Sequence, residues 1–138
     1  MYSVSKTFHF CYGHRLLGDQ HKCRHLHGHA GKATFILEGE RLDEKGMLIH
    51  FDRLKENVGQ WIADHLDHTM LLFQDDPIVP ILEGMGERIF KMDRHPTSEN
   101  IAELLFQVAI RYELPVVKVE FWESENAMAS YEKERKKF

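Results

Sequence analysis

The sequence has no apolar run approaching the roughly 20 residues that span a bilayer as a helix. Met1 to Phe10 also lacks the long hydrophobic stretch of a secretory signal. A soluble, cytoplasmic protein with no membrane partner is expected. Positive charge is scarce as well: 18 Lys and Arg stand against 22 Asp and Glu, a net charge of -4 with histidine neutral. Such a chain has no basic field to draw a polyanion, and its one dense basic run, Lys133 to Lys137, is terminal and broken by Glu134. No nucleic-acid partner is expected. Two cysteines, Cys11 and Cys23, are too few for a disulfide framework and read as thiols. With no internal repeat and no low-complexity linker, glycine and proline punctuate elements within a single domain, residues 1–138.

What is present fits one buried core, since 43% of the residues are hydrophobic and 29% charged. Tyr2 to Gly13 is aromatic and β-branched, and Phe8, Phe10 and Tyr12 alternate as in a half-buried strand, with His14 on the same parity. A second alternation runs through His27, His29, Gly31, Ala33, Phe35 and Leu37, its other face carrying Lys32, Thr34 and Glu38. A turn near Asp43 to Gly46 precedes a short third strand, Met47 to Phe51. Asp52 then caps a helix whose stripe is Leu54, Val58, Trp61, Ile62 and His65. Leu71 to Arg94, with Pro77, Pro80, Gly84 and Gly86, reads as a long excursion holding one helical turn. Pro96, Thr97 and Ser98 start a second helix with the stripe Ile101, Leu104, Leu105, Val108 and Ala109. Val117, Val119 and Phe121 form a strand, and Met128 to Tyr131 pairs back across Ser124 to Asn126. Strands adjacent in sequence favour antiparallel hairpins, so an α+β fold with both helices on one face is expected.

Histidine is the unusual component, with ten in the chain and five between His14 and His29. Alternate residues of a strand share a face, so His27 and His29 project together about 7 Å apart at the backbone. His14 ends the preceding strand, and a hairpin brings it beside them. Three protein donors with an open fourth position describe a catalytic zinc site. The alternative is that these histidines are ordinary polar residues on a rim, as a lone His-x-His pair often is. His21, in the loop, and His25, inside the turn, are weaker ligand candidates.

Four further residues carry candidate chemistry. Cys23 lies four residues before His27 and can be a ligand or a base. Three histidines already suffice for zinc, and a cation nearby lowers a thiol's pKa toward neutrality, which favours the base. Cys11, inside a strand, suits an inert hydrophobe. Asp67 and His68 act as a unit only where the backbone turns so that the carboxylate orients the ring. Glu123 shares the parity of Phe121, directing a carboxylate toward the apolar side, where a guanidine-like ligand edge would satisfy both oxygens; the alternative is a strand-end acid that reaches solvent.

The ordered motifs Phe10 to Leu16 with His14, Cys23 to His29 ending Leu-His-Gly-His, Leu66-Asp67-His68, Pro96-Thr97-Ser98-Glu99-Asn100 and Trp122-Glu123-Ser124 cover nearly the whole chain. Together they resemble the 6-pyruvoyl-tetrahydropterin synthase and 6-carboxy-tetrahydropterin synthase family. The resemblance implies the tunnelling fold (T-fold), built from ββααββ units, and a homohexamer with active sites at subunit interfaces. It implies zinc on His14, His27 and His29, Cys23 for proton transfer with Asp67 and His68 as relay partners, Glu123 as the pterin anchor, and Thr97 and Ser98 lining the pterin pocket. The implied substrate is 7,8-dihydroneopterin triphosphate.

The compact spacing from Cys23 to His27 resembles the branch that forms 6-carboxy-5,6,7,8-tetrahydropterin, acetaldehyde and triphosphate on the route to queuosine and other deazapurines. The other branch eliminates triphosphate to give 6-pyruvoyl-tetrahydropterin. Three features depart from the family pattern: Cys11, Tyr12 and Gly13 where small residues are usual, His50 in place of an aspartate, and Ser124 in place of a threonine. A zinc-bound pterin or purine sensor without catalysis, and a histidine-rich metal store, are the rival readings. Keeping Cys23, Asp67, His68 and Glu123 together argues for the enzyme, because a pure binder needs no proton relay.

Overall fold

The computed structural model describes residues 1–134, and the end of the basic run Lys133 to Lys137 lies outside the described residues. β1 (Tyr2–His14) and β2 (His27–Gly39) pair antiparallel along their whole length, from Tyr2 opposite Gly39 to His14 opposite His27. The pleat decides which side chains are dry. Phe10, Tyr12 and His14 on one strand and Ala33, Phe35 and Leu37 on the other are buried, while Thr7 and Thr34 bond hydroxyl to hydroxyl on the wet face.

β5 (Val116–Ser124) adds antiparallel to β2, and β6 (Ala127–Glu132) returns along β5 as a hairpin. A bulge sets Leu37 opposite Val116, leaving Val117 unpaired. One extra residue reverses the parity beyond it, so Val116 is buried in place of the expected Val117.

The expected strand over Met47 to Phe51 does not form. Phe51 opens a helix, and the cap is His50, not Asp52: the His50 Nδ1 accepts from the Asp52 N–H at 3.1 Å. A five-residue stretch carries no decisive period, and capping settled its state. The helix, α1, runs from Phe51–Leu54 through a π-helical stretch, Lys55–Gly59, into Gln60–His65. Gly59 is required in that stretch because a Cβ there would lie 2.7 Å from the Phe8 ring.

A second correction concerns Leu71 to Arg94, which is not a loose excursion. β3 (Thr69–Phe73), α2 (Ile78–Gly84) and β4 (Ile89–Met92) form a parallel βαβ unit, β3 lying parallel to β1 and β4 parallel to β3. The sheet is therefore mixed, in the order β4-β3-β1-β2-β5-β6, and not wholly antiparallel. Consecutive residues Leu71 and Leu72 are both fully buried, so β3 is dry on both faces and shows no alternation to read.

α3 (Ser98–Arg111) starts at Thr97, whose hydroxyl accepts from the Asn100 N–H at 3.2 Å, as the helix-start signal requires. Leu54, Val58 and Ile62 of α1 and Ile101, Leu105 and Val108 of α3 join Phe10, Phe35, Val119 and Phe121 in one core. Both long helices thus cover the same sheet face, as expected for α+β, with α2 as a third helix. Truncating Phe35 or Leu105 to alanine would cost about 3 kcal/mol in lost burial and cavity formation.

Candidate metal centre

The register that pairs His14 with His27 also decides where their rings go. Both lie on the core side at the open end of the β1–β2 hairpin, with His29 two residues along. Donor atoms of His14, His27 and His29 all lie within 4.8 Å of one another. The ring centroids are 4.6 to 5.0 Å apart. Small ring rotations would bring three imidazole nitrogens onto one cation.

Two of the rings are oriented by backbone carbonyls. His14 Nδ1 lies 2.8 Å from the Pro96 carbonyl oxygen and His27 Nδ1 lies 2.7 Å from that of His25. With Nδ1–H donating to these acceptors, each Nε2 keeps its lone pair for a metal, the usual support of a histidine ligand. His14 Nε2 and His29 Nε2 are buried with no hydrogen-bond partner. Burial lowers the pKa of both rings, with His27 acting the same way, while Glu123 opposes it. Neutral, orphaned and clustered nitrogens fit a borderline cation such as zinc.

Glu123 reaches the edge of this cluster. Its Oε1 is 2.9 Å from His29 Nε2, without the alignment of a hydrogen bond, and its Oε2 accepts from the Ser98 hydroxyl at 2.8 Å. Ser98, in the first turn of α3, is thereby tied to the sheet, whereas the Thr97 hydroxyl is used in capping. Cys23 is half-buried in a 3-10 turn, Lys22–Arg24, whose Cys23 carbonyl accepts from the Leu16 N–H at 2.8 Å. It stands outside the clustered donors, and both cysteines are free thiols. Cys11 is exposed, which corrects the reading of it as an inert core residue.

Asp67 and His68 lie elsewhere. His68 has φ +55, a left-handed turn that sets its Nδ1 3.0 Å from Asp67 Oδ2, while Asp67 Oδ1 accepts from the Cys11 N–H at 3.0 Å. The backbone thus turns as a working Asp–His unit requires. Burial acts to raise the Asp67 pKa, but the bonds from Cys11 and His68 and the charge of Arg88 outweigh it. His68 borders a depression of about 220 Å³ also lined by Cys11, Gly13, Met70 and Arg88. Gly13 leaves room for Met70, whose sulfur would lie 2.2 Å from a Cβ there. Among the described residues no hydrogen bond links Asp67 or His68 to Cys23 or to the three histidines.

Sequence reasoning missed the pair that braces the centre. Arg15, next to His14, donates from Nε and Nη2 to the two carboxylate oxygens of Asp76, whose side chain is 1% exposed. Asp76 Oδ1 also accepts from the Ile78 N–H at 2.9 Å, opening α2. The Arg15 hydrogen bonds, outweighing burial, hold the Asp76 carboxyl below the ordinary range. The partners are 61 residues apart, so no local spacing signals them.

An α+β sheet with two long helices on one face and a buried and two half-buried histidines clustered at a hairpin end defines a metal-binding-competent protein of the T-fold kind. A family model described as 6-pyruvoyl tetrahydropterin synthase matches residues 3–134, and the chain belongs to that family. A protein of Rickettsia felis named 6-carboxy-5,6,7,8-tetrahydropterin synthase is 36% identical over 104 residues, covering 74% of this chain and 75% of that one. One of the same name from Rickettsia typhi is 31% identical over 91% of this chain and 96% of its own. Among solved structures, an uncharacterized protein from Wolinella succinogenes superposes with a TM-score of 0.79 at 29% identity, over 96% of this chain and 98% of that one. The Caenorhabditis elegans 6-pyruvoyl tetrahydropterin synthase shares the fold, with a TM-score of 0.71 at 21% identity over 96% of both chains.

Proposed function

We propose that this protein is a zinc-dependent 6-carboxy-5,6,7,8-tetrahydropterin synthase, a lyase that converts 7,8-dihydroneopterin triphosphate to 6-carboxytetrahydropterin, acetaldehyde and triphosphate in a cytoplasmic route to queuosine or related deazapurines. The observation that carries the reading is the cluster of three histidines, with buried His14 and two orphaned Nε2 atoms, set beside the Glu123 carboxylate. The shared name of the relatives that cover most of the chain supports the 6-carboxy branch over the 6-pyruvoyl branch.

His14, His27 and His29 hold the zinc. When bound, the ion supplies Lewis-acid polarisation of the substrate's side-chain oxygens. Glu123 accepts from the N–H edge of the pterin ring, Ser98 fixes one carboxylate oxygen, and Thr97 and Ser98 line the pocket. Cys23 moves protons at the substrate side chain, and the Asp67-oriented His68 ring relays them. Asp67 and His68 bond to β1 at Cys11 and, among the described residues, not to Cys23, which supports a relay completed by another copy of the chain. A homohexamer with interfacial sites meets that need.

Mass spectrometry of the products from zinc-loaded protein given 7,8-dihydroneopterin triphosphate tests the reading. Carboxytetrahydropterin with acetaldehyde is the expected outcome. A pyruvoyl product would move the protein to the other branch, and binding without conversion would favour a pterin sensor. Mixing Cys23→Ala with His68→Ala protein tests the shared site: activity should return in mixed oligomers, and two variants that stay inactive together would place the whole relay within one chain.

A further inference from the structure

Three buried polar side-chain atoms lack a hydrogen-bond partner among the described residues: His14 Nε2, His29 Nε2 and the Tyr12 hydroxyl. The first two belong to the metal centre. The third has no role yet. Tyr12 is 3% exposed and its ring lies among His14, His29, Phe10 and Phe121, at centroid distances of 5.2, 5.6, 5.6 and 5.7 Å. Native proteins rarely bury a hydroxyl without an acceptor, and such groups mark places where a bound molecule supplies one.

The surroundings are arranged around this ring. Gly31, on the facing strand, has no side chain where a Cβ would stand 3.0 Å from Tyr12 Cε1 and 3.1 Å from the Phe121 ring. The phenol is thus accommodated by the strand opposite. Its unpartnered hydroxyl offers a donor where the Glu123 carboxylate offers acceptors. A donor and a carboxylate that both lie against His29 match a heterocycle that presents adjacent N–H groups and a ring carbonyl.

We propose that Tyr12 is a ligand-binding residue whose hydroxyl donates to the ring carbonyl of the pterin, beside the N–H edge taken by Glu123. This rests on the pterin reading above and adds a specificity-determining contact to it. The ring also packs against His14 and His29, which places the contact beside the histidine cluster.

The test is Tyr12→Phe in the full-length, zinc-loaded protein, with neopterin as the probe. Neopterin binding should weaken roughly tenfold, the loss of one hydrogen bond to a ligand. Zinc stoichiometry should stay unchanged. In the ligand-free protein the melting temperature should hold or rise, because the variant deletes an unpaired hydroxyl. A fall in melting temperature would overturn the proposal, since it would reveal a structural partner for the hydroxyl. Unchanged neopterin affinity would overturn it while leaving the pterin reading intact. Loss of zinc would reassign Tyr12 to the metal. Wild-type protein that binds no neopterin would overturn the pterin reading and this contact together.

Discussion

The end of β1 carries two sites on opposite terms. On its inner side His14 is 2% exposed, oriented by the Pro96 carbonyl and surrounded by two further imidazoles and an aromatic ring. On its outer side the Cys11 N–H holds Asp67, and the His68 side chain attached to it is 77% exposed. The inner constellation is drawn from one chain, and burial lowers the pKa of His14 and His29, which favours the neutral rings that a cation needs. The outer pair is oriented but open. An oriented but open pair keeps its contact with solvent, whereas a cluster of imidazole nitrogens gains from dryness.

The contrast should first appear in metal binding. His14→Ala is expected to reduce bound zinc from one equivalent to none, measured by metal analysis of the purified protein, while His68→Ala keeps the full equivalent. Equal metal loss in both would erase the distinction. The next largest effect concerns the brace. Asp76→Asn strips the charge from a buried ion pair and should cost about 3 kcal/mol of stability in denaturant unfolding, together with about tenfold weaker zinc binding through the displaced His14. An unchanged zinc affinity would mean that Arg15 and Asp76 secure only the fold.

Cys23→Ala and His68→Ala should each lower turnover by about a hundredfold or more, with zinc content retained and melting temperature nearly unmoved. Loss of zinc from the Cys23 variant would make that thiol a ligand. The mildest effect is on acid stability of the metal-free protein. Burial lowers the folded-state pKa of His14 and His29, so the unfolded chain binds more protons as pH falls below about 6.5. Their contribution is full above that pH and is lost progressively below it, toward the lower folded values. His68→Ala should leave this profile unaltered, whereas His14→Gln should flatten it.

Local patterns carried far. Alternation alone placed His14, His27 and His29 on one face, because the pleat has period two and the hairpin has no competing register for its apolar residues. Thr97 capping α3 was legible for the same kind of reason, a short-range side-chain bond. Patterns failed where burial was two-sided or contacts were distant. β3 has no alternation, β4 is four residues long, and the bulge at Val117 appears only against its partner strand.

The residue types and their spacing by themselves determined the histidine face and the two long helices, and the ordered motifs carried the resemblance to the family. The face and the helices follow from periodicities of two and 3.6, encoded within a few residues of each other. Only the tertiary structure decided that Asp76 braces Arg15, that Pro96 orients His14, that Tyr12 is left with a hydroxyl unpaired among the described residues, and that Asp67 and His68 bond at Cys11. Each depends on segments brought together from far along the chain, and the burial and hydrogen-bond partners that give these groups their chemistry exist only after that packing.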